Sequence, residues 1–149
     1  MIKSKLLQVI KTQFALPINS LHGISHWKHV EVLGRRLATS TEADLEVITL
    51  FAYLHDARRI NEDFDPEHGE RAGQYCLKLF NDRSLPLSKS QLKQLMIACQ
   101  NHSDSKFVTD DMTVATCLDA DKLDLVRFGI SPHEDFLLTE AAIDSLGQQ

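Results

Sequence analysis

The run Val47-Ile48-Thr49-Leu50-Phe51-Ala52-Tyr53-Leu54 leads straight into His55-Asp56. A run this apolar belongs in a core, and it carries two adjacent ionisable groups in with it. An unpaired buried charge costs several kcal/mol, so the fold must bring compensating groups from elsewhere in the chain. A coordinated cation is one such compensation. Imidazole and carboxylate side by side suit a divalent transition metal such as Mn, Fe, Co, Ni or Zn, with Mg also accepted.

Helical spacing dominates the remainder and strand-like alternation is nearly absent. The periodicity predicts helices at about 2–14, 25–39, 42–58, 67–81, 88–102 and 111–128, with a short one near 133–146. Breakers fall between them at Pro17, Ser40-Thr41, the Asp63-Phe64-Asp65-Pro66 turn and Ser84-Leu85-Pro86. Thr41 with Asp44, and Ser88 with Gln91, carry N-terminal capping signals. With 149 residues and no linker or repeat, the expectation is a single all-α domain over 1–149, a compact bundle of about six helices.

Charge narrows the partners. The net charge is −5 and the Lys and Arg residues are scattered, which argues against a nucleic-acid polymer or an anionic membrane as ligand. A small phosphorylated metabolite or nucleotide needs only a few local cations and stays open. Cys76, Cys99 and Cys117 sit far apart among apolar neighbours and read as buried free thiols, suiting a reducing cytoplasm. The start of the chain lacks the apolar h-region of a secretion signal, and nothing approaches the ~20 apolar residues of a membrane span. The expected location is cytoplasmic.

Projection onto helices gives the pair its company. His26 shares a face with Val30, Leu33 and Leu37; Asp121 with Val114, Cys117, Leu118 and Leu125; His102 follows Leu95 and Cys99. Residues three, four and seven apart lie on one side of a helix, so these polar side chains point inward from at least four helices. Helical bundles build metal sites in this way.

The order of these residues resembles the HD-domain superfamily of metal-dependent phosphohydrolases, whose pattern is H…HD…D. The first element is Ser25-His26-Trp27-Lys28-His29-Val30, the second Leu54-His55-Asp56, and the third Leu118-Asp119-Ala120-Asp121-Lys122-Leu123-Asp124, similar to the family's aD-(K/R)-L-D ending. The resemblance runs from about residue 20 to 128 and leaves 129–149 as a C-terminal extension. It implies an orthogonal helical bundle and the metal ligands His26, His55, Asp56 and Asp121. The family spacing to Val30 selects His26 over His22 and His29. The helix face and the family ending favour Asp121 over Asp119, with Asp124 left to hold a ligand or cap.

Around this set the sequence offers further groups. Extra histidines between the HD pair and the last Asp bind a second metal in dinuclear members of the superfamily. His68 follows Asp56 by only 12 positions, so His68 and His102 are expected beside the reacting phosphate with Asp56, a second metal being the alternative. Arg58, Arg59, His22 and Lys122 are the candidate phosphate or substrate contacts, since guanidinium groups grip phosphate oxygens bidentately. Some family nucleotidases carry a Glu three residues after the Asp of the pair. Arg59 stands there in this chain, so neither that acid/base role nor specificity for deoxynucleotide monophosphates transfers. Asn61, Asp63 and Asp65 imitate the start of a calcium loop, but Pro66 replaces its glycine and Ala72 its glutamate. The loop is expected to cover the metal mouth, with Asp65 or Glu67 capping the next helix. The resulting expectation is hydrolysis of a small phosphomonoester by metal-activated water. A di-iron oxygenase and a non-catalytic metal- or nucleotide-binding module are the alternatives. Phe107, Phe128 and Phe136 pack internally or in a homodimer.

Overall fold

The computed structural model describes residues 2–147; Met1 and the last two residues of the 129–149 extension lie outside it. Seven α-helices follow one another: α1 (Ser4–Gln13), α2 (Ile24–Thr41), α3 (Leu45–Leu54), α4 (His68–Asn81), α5 (Lys89–Asn101), α6 (Met112–Leu123) and α7 (Glu140–Leu146). Short 3-10 turns occupy Asp124–Phe128 and Glu134–Phe136. No strand occurs among the described residues. Nor is any described helix long and apolar enough to cross a membrane.

The apolar run becomes the axis of the molecule. Every residue of α3 from Val47 to Leu54 is buried, and the helix packs against α2, α5 and α6. This helix is shorter than the expected 42–58. Asp44, not Thr41, is its N-cap, with a carboxylate that accepts from the Glu46 and Val47 amides. Thr41 instead closes α2, where Glu42 turns the chain in the left-handed conformation (φ 58°). At the other end the chain leaves the helix at His55, so the residues after Leu54 do not continue its faces. The Ser88–Gln91 capping box forms as expected, each side chain bonding the other's backbone amide.

Close helix approach depends on small residues. A Cβ at Gly34 of α2 would lie 2.6 Å from Ile48 Cγ2 and 3.6 Å from the Ala120 Cβ, so only glycine lets α2 settle this deeply against α3 and α6. Gly69 does the same for α4, where a Cβ would meet the Cys99 carbonyl oxygen at 2.8 Å. The thiols of Cys76 and Cys99 meet across that interface at 3.9 Å, and all three cysteines are buried and free.

The predicted 111–128 helix tightens into a 3-10 turn after Leu123. The segment near 133–146 divides into a 3-10 turn and α7. Asp119, fully buried, anchors this tail: its carboxylate accepts from the Leu138 and Thr139 amides and from the Thr139 hydroxyl. Phe107 packs against the core, whereas Phe128 and Phe136 are exposed.

Candidate metal centre

Four side chains from three helices converge where α3 ends. His26 lies in the first turn of α2, His55 caps α3, Asp56 follows it, and Asp121 lies in the last turn of α6. His26 Nε2 is 3.0 Å from His55 Nε2, 3.3 Å from Asp56 Oδ2 and 3.1 Å from Asp121 Oδ1. His55 Nε2 is 3.3 Å from the same Asp56 oxygen and 3.2 Å from the same Asp121 oxygen. Donors held about 2.1 Å from one cation and 90° apart would be about 3.0 Å from each other, so the spacing fits a common centre.

A second group faces the other oxygen of Asp56. His68, the first residue of α4, and His102, the cap of α5, each place Nε2 3.3 Å from Asp56 Oδ1. The two nitrogens are 2.8 Å apart. Asp56 therefore stands between two sets of histidines, one oxygen turned to each.

The tautomers decide what these rings can do. His55 Nδ1 donates to the Phe51 and Ala52 carbonyls at 3.0 and 3.1 Å. His102 Nδ1 donates to the Cys99 carbonyl at 2.7 Å, and His68 Nδ1 to the Asp65 carbonyl. His26 Nδ1 donates to Asp124 Oδ2 at 2.6 Å. Each neutral ring thus keeps its proton on Nδ1 and turns the bare Nε2 lone pair inward. Four lone pairs and two carboxylates aimed at one another repel unless positive charge sits among them, and this donor set fits a cation. Phe51 stacks on the His55 ring at 4.7 Å and fixes its plane.

Electrostatics carry the same signature. Burial alone would lower the His26 imidazole, but Asp121, Asp124 and Asp56 outweigh it and push it up to about 12. Burial also opposes charge on His55, where Asp56 and Asp121 win and raise it to about 9. Burial would raise Asp56 and Asp121, yet the surrounding imidazoles hold both far below the usual carboxylate range. The cluster attracts protons or, in their place, a metal.

The remaining expected residues separate. Arg59 reaches the cavity over the cluster, with Nε 3.3 Å from Asp56 Oδ1 and Nη1 on the Asn61 and Asp63 carbonyls. Arg58 does not: its guanidinium lies 5.0 Å from the Tyr75 ring and bonds the Gln13 carbonyl, outside that cavity. The turn after Leu54 sends two adjacent arginines to different sides, so a phosphate role for Arg58 is not supported. His22 lines the cavity and pairs with Glu62, and Lys122 lines it with Nζ on the Phe136 carbonyl at 2.9 Å. His29 is half exposed. Glu67 precedes α4 without a side-chain cap bond, and Asp65 instead binds the Ile60 amide and Arg71.

Asp124, which the sequence left to hold a ligand or cap, orients His26 and is itself held by Arg127 at 3.0 Å. One feature had no clear signal in the sequence. The division of Asp56 between two histidine sets depends on the 59–67 loop folding back to deliver His68, which spacing alone does not reveal.

No family model matches the chain, and no curated protein matches it significantly. Among solved structures it is similar to the crystal structure of a predicted HD superfamily hydrolase from an uncultured Thermotogales bacterium. The two share 23% identity with a TM-score of 0.74, over 97% of this chain and 82% of that one. The likeness shows the HD-domain helical fold that the order of His26, His55-Asp56 and Asp121 implied.

Proposed function

We propose that the protein is a metal-dependent phosphohydrolase, cytoplasmic, that acts on a small phosphomonoester or nucleotide at a dinuclear centre. The observation that carries this reading is the placement of Asp56, with Oδ2 facing His26 and His55 and Oδ1 facing His68 and His102. His26, His55 and Asp121 would hold one cation, His68 and His102 the other, and Asp56 both. The tautomers favour this over the expected phosphate contact for His68 and His102. A ring whose only proton is already given to a carbonyl presents a lone pair, which repels a phosphate oxygen.

Cations bound there would supply Lewis-acid polarisation of the phosphoryl group and a water that ionises near neutral pH. The chain's own groups do the positioning. Asp121, partly open to the cavity, is acceptor-only when ionised and orients an attacking water by a hydrogen bond. Arg59 has Nε and Nη1 committed to the wall and leaves Nη2 without a bond to the described residues, available to an equatorial phosphoryl oxygen. The buried rings of His55 and His102 are fixed by main-chain carbonyls and need no reorganisation during the reaction.

The same six side chains also suit two irons and oxygen chemistry. A phosphatase screen with added Mn, Co, Ni, Zn and Mg, together with metal content and oxygen uptake, separates the readings. Phosphate release that disappears in His55→Ala and Asp56→Ala supports the hydrolase. Two irons with oxygen-dependent turnover and no phosphate release would overturn it.

A further inference from the structure

Above the ligand cluster opens a cavity of about 320 Å³. Most of the polar groups that line it beyond the ligands have a partner within the protein. His22 is paired with Glu62 and Lys122 with the Phe136 carbonyl, while the Ser103 hydroxyl lies 3.1 Å from His68 Nε2 and is released when a cation takes that lone pair. Arg59 spends two of its three nitrogens on Asp56 and the 61–63 backbone. Asp124 is held by His26 and Arg127.

Three apolar side chains on the same walls have no such commitments. Leu21 is 58% exposed, Phe128 46% and Leu125 39%. Large apolar groups left in water around a cavity mark a surface that a ligand covers. Phe128 is also held in place. The Arg127 guanidinium lies 4.7 Å from its ring centroid, while its charge is neutralised by Asp124. Gly129 then turns the chain away in the left-handed conformation (φ 75°), which a side chain would strain.

We propose that the substrate of this site is a monophosphate ester whose body is apolar and ring-bearing, and not a polyol phosphate. The phosphate lies at the ligand cluster and the Arg59 end, and the ring lies against Leu21, Leu125 and Phe128. A polyol body would set its hydroxyls beside the Leu21, Leu125 and Phe128 side chains, which cannot replace its water. The assignment rests on the phosphohydrolase reading and narrows it to one substrate class.

Non-hydrolysable probes test it without turnover. Methylphosphonate, hydroxymethylphosphonate and phenylphosphonate are titrated calorimetrically into Mn-loaded protein and into chelator-treated protein. Phenylphosphonate is expected to bind about tenfold more tightly than methylphosphonate, about 1.4 kcal/mol, and only when metal is present. Phe128→Ala and Leu21→Ala, both surface changes, are each expected to remove about threefold or more of that advantage. Methylphosphonate affinity and metal content should stay at the wild-type level in both. Equal binding of the three probes, or a preference for the hydroxylated one, overturns the substrate class while leaving the hydrolase reading intact. Failure of all three to bind the loaded protein overturns both.

Discussion

In the metal-free protein, His26 and His55 hold protons that the neighbouring carboxylates attract, with His55 raised from an ordinary 6.5 to about 9. A raised folded value stabilises fully below the unfolded value and is lost as pH rises through the folded one. Chelator-treated protein should therefore lose stability as pH climbs from about 6.5 through 9. The metal-loaded protein should behave oppositely, because protons compete with the cation for the same Nε2 lone pairs and displace it as pH falls. Melting curves with and without chelator, from pH 6 to 10, are expected to give slopes of opposite sign; parallel profiles would show that these rings bind no metal. Asp124 offers a second test at this scale. Replacing Asp124 by Ala frees the His26 ring, and metal affinity should fall roughly 10- to 100-fold in a calorimetric titration. The convergence of His26, His55, Asp56 and Asp121 was legible in the sequence, through inward-facing helical spacing and through the order that resembles the HD-domain pattern. Asp124 was legible only as a group that holds a ligand or caps the helix, since a carboxylate one turn beyond Asp121 carries no mark distinguishing those two duties.

Among elements, the 59–67 loop governs whether the second histidine set exists. Asp65 accepts from the Ile60 amide at 2.8 Å and, on both carboxylate oxygens, from Arg71 Nη2 at 2.7 and 2.8 Å, while its own carbonyl accepts from His68. Arg71 also reaches the Arg58 carbonyl at 3.0 Å. Arg71→Met should release this brace, so metal analysis is expected to find the His26–His55–Asp121 cation retained and the other lost. Two cations in both proteins would show that the brace is dispensable. The tail gives a contrasting case. Asp119→Ala removes the acceptor for the buried Thr139 amide and hydroxyl and for the part-buried Leu138 amide, a loss of about 2–3 kcal/mol. For a chain of this size that is roughly 4–12 °C in melting temperature, with metal content unchanged. The sequence offered Asp119 and Asp121 as rivals; the helix turns them to opposite duties, one holding α7 and one facing the cluster. The capping of α3 and the fate of Arg58 were obscure for a related reason. Both depend on where a helix stops, and a shift of a few residues at Leu54 reassigns every side chain beyond it.

For the whole molecule, the site is a product of how closely the helices pack. Gly34 lets α2 descend onto Ile48 and Ala120, and the same descent sets His26 beside His55 and Asp121. Gly34→Ala gains about 1 kcal/mol in helix propensity, but the crowding it introduces costs about 1–3 kcal/mol. The expected result is a modestly lower melting temperature accompanied by weaker metal binding, measured by thermal unfolding and calorimetry on the same samples. Unchanged metal affinity would mean that the helices adjust without moving the ligands. The all-α bundle was evident from periodicity alone, whereas this intimacy of contact was not, because a glycine within a helix reads first as a weakness.

Three of the four rings take their orientation from main-chain carbonyls, of Phe51 and Ala52, Asp65, and Cys99; only His26 takes it from a side chain. A carbonyl survives every substitution that preserves the backbone, whatever side chain replaces the old one. The centre is consequently buffered against drift in the residues around it, with a single point of exposure at Asp124. A chain could thus diverge far in sequence while its coordination geometry stays nearly still, and position 124 is where such divergence would first register as lost metal.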